Sequence, residues 1–243
     1  MGVVAGLLSL LFVAPVIALA VLVVVAAVLS SVAWWGCERL VSRLIPIEPA
    51  DPTAHARLFN LVTGLCINAG VPPPALGVVN TDGLNALVSG RNPRNATLVV
   101  TRGLLDRLSL IELEAVVARE LSQIKSYDIL PATVAVALFG IFRLVAPLSV
   151  IARPGLRLSL GSQREEVADL AAVSLTRYPP AMLAALEKMQ SLGTAVPNAS
   201  PAVAQLWLAD PVPPAQSARS TRAGHPFETH PPLEERIEAL REL

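Results

Sequence analysis

Residues 112–128 read ELEAVVARELSQIKSYD, and their spacing predicts the helix about which the rest of the chain is arranged. Leu113, Val117, Leu121 and Ile124 fall on one stripe and turn toward a core. Val116, Arg119, Glu120 and Gln123, at i, i+3, i+4 and i+7, share a second face. The start is marked by Ser109-Leu110-Ile111-Glu112, a capping box in which each side chain can bond an orphan N–H of the first turn.

Upstream, Ala56, Leu58, Phe59, Leu61, Val62 and Leu65 mark a buried helix within Pro52 to Gly70, stopped by Gly70 and Val71-Pro72-Pro73-Pro74. Short apolar runs at Ala75 to Val79, Ala86 to Val88 and Ala96 to Val100 are separated by Asn80-Thr81-Asp82-Gly83 and Gly90-Arg91-Asn92-Pro93, and read as strands joined by turns. Downstream, helices are predicted over Ser162 to Thr176, ended by Tyr178-Pro179-Pro180, and over Ala181 to Leu192, ended by Gly193. A short amphipathic helix over Leu233 to Leu243 closes the chain, after a loop rich in proline, serine and alanine from Thr194 to Phe227. The pattern is α/β, of the α+β and mostly helical kind, without internal repeats.

Net charge is formally zero, so nucleic acid is not indicated as a partner, whereas 53% hydrophobic residues point to a lipid bilayer. The apolarity is localised. Val3 to Trp35 carries no ionisable side chain, and as one helix it would be about 50 Å long against a hydrocarbon core of about 30 Å. That is long for one upright span and short for two, with Pro15 near the middle. A cleaved signal peptide is the alternative, but the run exceeds an h-region and nothing basic precedes it. Arg39 and Arg43 follow the run and place the next domain in the cytoplasm by the positive-inside rule. Cys37 and Cys66 fit a reducing compartment as inert thiols. A second apolar stretch, Ala132 to Ala152, has the length of a single span, yet Arg143 near its centre costs about 2.5–3.5 kcal/mol on insertion. A shallow hairpin, an interfacial helix or a buried soluble helix pair all accommodate it.

The centre of the 112–128 helix, Arg119-Glu120-Leu121-Ser122-Gln123, has the form of the zinc-peptidase motif H-E-x-x-H with both histidines replaced. In that motif two imidazoles four positions apart hold zinc on one helix face while the glutamate polarises water. The chain resembles the HtpX family of membrane zinc metallopeptidases, gluzincins related to the CAAX prenyl proteases. The resemblance runs through Asn85 to Pro93, Ala96 to Leu105, Glu114 to Lys125 with Asp128, Arg164-Glu165-Glu166-Val167-Ala168-Asp169, Gln205 to Pro211 and Thr229 to Ile237. It implies a zincin-like domain with an N-terminal transmembrane segment and an inserted apolar hairpin. The implied layout is a membrane anchor over 1–45 and a peptidase-like domain over 46–243 interrupted by the insert 131–152. It also implies that Glu120 is a vestigial general base, that Arg119, Gln123 and Glu165 are degenerate metal-ligand positions, and that Asp169 and His230 support them. Glu120 and Glu165 must then meet on one side of the membrane, so the insert enters and returns. Ala96, Thr97, Leu98, Val99 and Val100 are read as the edge strand of the peptide groove.

Without the resemblance, Glu114, Glu120, Glu165, Glu166 and Asp169 are ordinary solvated helix charges. With it, Arg119 becomes an attached stand-in for the metal, its guanidinium bridging carboxylates, with Gln123 a neutral donor. His55, His225 and His230 form no i, i+4 pair with one another, and Glu120 with Glu165 is a weak set for zinc. No metal or cofactor is expected. Serine or cysteine hydrolysis lacks a base beside Ser122, Cys37 or Cys66, and no phosphate-binding glycine pattern occurs. The expectation is a catalytically inactive, membrane-integral homologue with its peptidase-like domain in the cytoplasm, binding a membrane protein or a peptide. The alternatives are an active zinc endopeptidase with an atypical ligand set that includes Glu165 and His225 or His230, and a purely structural subunit whose groove is filled.

Overall fold

The computed structural model describes residues 24–25, 27–28, 31, 35, 41–130, 133, 163–197, 199, 203–211 and 230–243. The chain divides into two compact units, Met1–Gly36 and Cys37–Leu243. The described positions of the first unit are helical, and Val24, Val28 and Trp35 are exposed there. The rest of the expected anchor up to residue 40, His225, and the insert 131–152 apart from Thr133 lie outside the described residues. Among the described residues no helix is long and apolar enough to cross a membrane.

The second unit begins at Cys37, and Val41 and Ile45 are buried in its core. Its elements are β1 (Glu48–Pro49), α1 (Ala56–Ala69), β2 (Ala75–Val79), β3 (Ala86–Gly90), β4 (Ala96–Thr101), α2 (Arg102–Arg107), α3 (Leu110–Lys125), α4 (Gln163–Thr176), α5 (Pro179–Leu192) and α6 (Leu233–Arg241). Helix α1 ends where the sequence demands: Gly70 takes a left-handed φ of 70°, and its N–H bonds the Cys66 carbonyl. The two-residue β1 and the short α2, which Thr101 caps by accepting the Leu104 N–H, go beyond the sequence expectations, as do single 3-10 turns at Pro93–Asn95 and Ala204–Leu206.

The four strands lie in the order β1-β2-β4-β3, with β2 and β4 parallel and the other pairs antiparallel. This corrects the edge-strand assignment of Ala96 to Val100: β4 is paired on both sides, and the outer strand is β3. The physical signal was present in the composition of β4. Leu98 and Val100 face the helices while Val99 faces a second apolar cluster with Leu87, Val203 and Trp207, so the strand is apolar on both faces, as interior strands are.

Helix α3 lies across one face of the sheet with Leu113, Val117, Leu121 and Ile124 fully buried, each contributing about 1.5–3 kcal/mol by leaving water. The predicted capping box forms: the Ser109 N–H donates to Glu112 Oε2 at 2.7 Å, and the Glu112 N–H to Ser109 Oγ at 3.4 Å. Lys188 of α5 ties into it, donating to Glu112 Oε2 at 2.7 Å. The helix stops through Tyr127, whose φ of 62° is left-handed, with the Asp128 N–H returning to the Gln123 carbonyl. Helix α4 packs closely along α3. Arg119 reaches Asp169 and Glu165, and Gln123 lines a cleft with Glu165, so the two helices run in opposite directions.

Candidate functional site

The polar face of α3 is not solvated. Arg119 is 1% exposed and Glu120 is fully buried, and their partners on α4, Glu165 and Asp169, are buried as well. Position 119 sits on the stripe of α3 that faces α4, so its side chain has no route to water. The guanidinium is spent entirely on carboxylates. Nη1 donates to Glu120 Oε1 at 2.5 Å, Nε to Asp169 Oδ1 at 3.2 Å, and Nη2 to Glu165 Oε2.

A second guanidinium that sequence reasoning missed enters from α6. Arg236 grips Asp169 with both prongs, Nε to Oδ2 and Nη2 to Oδ1, each at 2.8 Å, and its Nη1 donates to the Leu208 carbonyl at 2.8 Å. That Nη1 also lies 4.0 Å from Glu165 Oε2. A charge argument could have found it, because three buried carboxylates around one arginine leave an excess of negative charge. His230 completes the group. Its imidazole is buried, Nε2 makes a 3.0 Å hydrogen bond to the Ala204 carbonyl, and Nδ1 lies 3.8 Å from Glu165 Oε1.

Electrostatics follows from this geometry. Burial pushes the Glu120 carboxyl above its ordinary range despite the pull of Arg119, and its Oε2 is buried without a hydrogen-bond partner. Burial by itself lowers the basicity of Arg119, but Glu165, Glu120 and Asp169 outweigh it and hold the guanidinium protonated. Burial lowers the His230 imidazole, with Glu165 opposing. Two guanidinium cations, Arg119 and Arg236, thus face three carboxylates, Glu120, Glu165 and Asp169, and the upward push of burial on Glu120 works against the excess of negative charge.

The remaining sequence-predicted residues fall nearby. Gln123 is half-buried and borders a small cleft with Val88, Ile129, Glu165 and Trp207. Thr97 to Val100 sit in the interior of the sheet, and Ala96 at its end is buried. Trp207, which borders the cleft, pairs with Leu87, and Asn85 bonds Ala209 of the same segment; neither is a site residue in the sequence expectations.

The family model described as "Peptidase family M48" matches residues 52–243. The chain belongs to peptidase family M48. Among curated relatives, a protease HtpX homolog of Dictyoglomus turgidum is 34% identical, over 79% of this chain and 71% of that protein. One of Acidiphilium cryptum is 32% identical, over 87% of this chain and 82% of that protein. In fold the chain is similar to the crystal structure of Ste24p from S. mikatae, with a TM-score of 0.50 at 15% identity, over 90% of this chain and 57% of that one. The fold is thus the zincin-like one of this family, rich in helix around a small sheet.

The zinc implied by M48 membership does not fit the donors present. A permanent cation extends from the first ligand position of the motif and already neutralises the third, Glu165, and Gln123 offers only an amide. Among the described residues no group of three or more His, Cys, Asp or Glu side chains is placed to hold a metal ion.

His230 makes the cluster sensitive to pH. Its folded value lies below the ordinary 6.5, so as pH falls through 6.5 the unfolded chain takes up the proton first and the folded state loses stability, at up to about 1.4 kcal/mol per pH unit. Melting temperature is expected to fall between about pH 7.5 and about pH 5 more steeply in the parent than in His230→Gln. Superimposable curves would refute a buried neutral imidazole.

Proposed function

We propose that this chain is a non-catalytic M48 homologue, held at the cytoplasmic face of the cell membrane, that serves as a binding, regulatory or structural component of a membrane-protein complex. The observation that carries this reading is the Arg119 guanidinium, which supplies from inside the protein the positive charge that zinc would bring to Glu165 and Asp169. Loss of both imidazoles removes two of the usual three protein ligands, and with them the means to activate water. The tag-free protein is therefore expected to contain no stoichiometric zinc and to cleave no protein substrate. About one zinc per chain by elemental analysis, with chelator-sensitive cleavage abolished by Glu120→Gln, would overturn it.

One observation favours the second reading, an active peptidase with an atypical ligand set. Nδ1 of His230 is buried without a hydrogen-bond partner and lies 3.8 Å from Glu165 Oε1, while Nε2 is oriented by a main-chain carbonyl, as such bonds orient metal-binding imidazoles. The same zinc assay decides it.

Membrane attachment rests on the apolar stretches Val3 to Trp35 and Ala132 to Ala152. Because α3 and α4 are antiparallel neighbours, the chain leaves α3 and re-enters α4 at the same end of the helix pair, which suits an insert that dips into the bilayer and returns. Tyr127 and Val167, which flank this exit, are large exposed apolar residues. Cysteines introduced as Lys125→Cys and Leu160→Cys, with Cys37 and Cys66 replaced, should both label from the cytoplasmic side. Labelling from opposite sides would mean a true span.

A further inference from the structure

The outer edge of β3 is partly occupied by the chain itself. Because the Thr101 N–H donates to the Asn85 carbonyl at 3.0 Å and antiparallel pairing alternates from there, Leu87 and Ser89 face β4 while Ala86, Val88 and Gly90 face outward. The outward Ala86 carbonyl accepts the Leu208 N–H at 2.7 Å, and Leu87 and Trp207 oppose each other in an isolated antiparallel bridge. Leu206 to Ala209 thus lie where an extended peptide would add a strand to the sheet. We propose that this segment is a built-in strap that closes β3 against extended chains, with the buried ion cluster as its latch.

The latch has two sides. Arg236 holds the Leu208 carbonyl with Nη1 while its other two nitrogens hold Asp169, which Arg119 also binds, so strap and cluster share one guanidinium. On the other side Asn85 clamps Ala209 through both ends of its amide: Nδ2 donates to the Ala209 carbonyl at 2.8 Å, and Oδ1 accepts the Ala209 N–H at 3.2 Å. His230 adds its bond to the Ala204 carbonyl. Among the described residues the strap meets the sheet through a single bridge, whereas β4 is laddered along both edges, so the proposal requires the strap to open before β4 does. Trp207, 2% exposed in the apolar cluster beneath, reports its position.

The proposal deepens the reading of the chain as a binding module. A zinc-loaded, active protein would sink that reading and leave the strap to be judged on its own data. The test is amide hydrogen exchange on the full chain in detergent. In the parent, Leu208 is expected to exchange at least about tenfold faster than Val99, by local opening. Arg236→Lys, which keeps the charge and loses the fork, should accelerate Leu206 to Ala209 by a further tenfold or so and leave β4 unchanged. A synthetic peptide copying residues 203–211 should then bind the variant and not the parent. Asn85→Ala tests the other clamp if the arginine variant does not fold. Exchange of Leu208 only together with Val99 overturns the strap. A loosened variant that binds the peptide no better than the parent overturns its gating role.

Discussion

Arg119→Ala is expected to destabilise the folded domain by about 3–5 kcal/mol, the cost of stranding buried carboxylates when their cation is removed. Burial decides the magnitude. At 1% exposure, neither water nor salt can screen what remains, whereas an exposed pair would cost about 0–1 kcal/mol. The loss is unevenly shared. Asp169 keeps the bidentate grip of Arg236, and burial already pushes Glu120 toward its neutral form, so Glu165 suffers most, with Arg236 no nearer than 4.0 Å. Arg119→Lys should fall between parent and alanine, because a point charge cannot satisfy three carboxylates at once. Chemical denaturation in detergent, with unchanged denaturant dependence, measures it. An alanine variant within about 1 kcal/mol of the parent would show that the cluster contributes nothing to stability.

The double substitution Arg119→His with Gln123→His is expected to restore a metal centre, with about one zinc per chain and an affinity at least about 10³-fold above the parent's, roughly 4 kcal/mol. Three features of the structure support it. The two positions lie one turn apart on α3 beside the same helix, the departing guanidinium releases Glu165, and Glu120 stands next to the first new ligand. Zinc should then raise the melting temperature, a chelator should reverse the rise, and adding Glu165→Gln should remove it. If the doubly substituted chain takes up no zinc, Arg236 is dominating Glu165 or the cleft beside Gln123 has closed.

Much of this arrangement was legible in advance. The capping box, the glycine stop of α1, the two stripes of α3 and the extents of α4 and α5 all follow from spacings within a few turns, where hydrogen bonding and side-chain packing are local. Prolines at the first turn of α5 only moved its start to Pro179. The pairing of Arg119 with Glu165 and Asp169 was anticipated from the resemblance and from the need to neutralise carboxylates, and the geometry brings all three together. Strand order was not legible. A run such as Ala96 to Val100 has the same composition whether one neighbour or two will cover it, and the choice rests on the parallel crossover that places β4 between β2 and β3. The segment after Gly193 reads from sequence only as a long loop, because the bonds that hold its described residues 203–211 come from outside it, from Asn85, Arg236 and His230.

By itself, then, the sequence determined the helices, their caps, the family pattern and the identity of the residue that stands where the motif has its first imidazole. Only the tertiary structure decided that this residue is fully buried, that Arg236 shares its carboxylates, and that residues 206–209 lie on the edge of β3. The reason is physical. Helices and caps are fixed by neighbours a few positions away, but the ion cluster and the strap join groups as far apart as 50 positions for Arg119 with Asp169 and 124 for Asn85 with Ala209, and burial is a property of the whole packing.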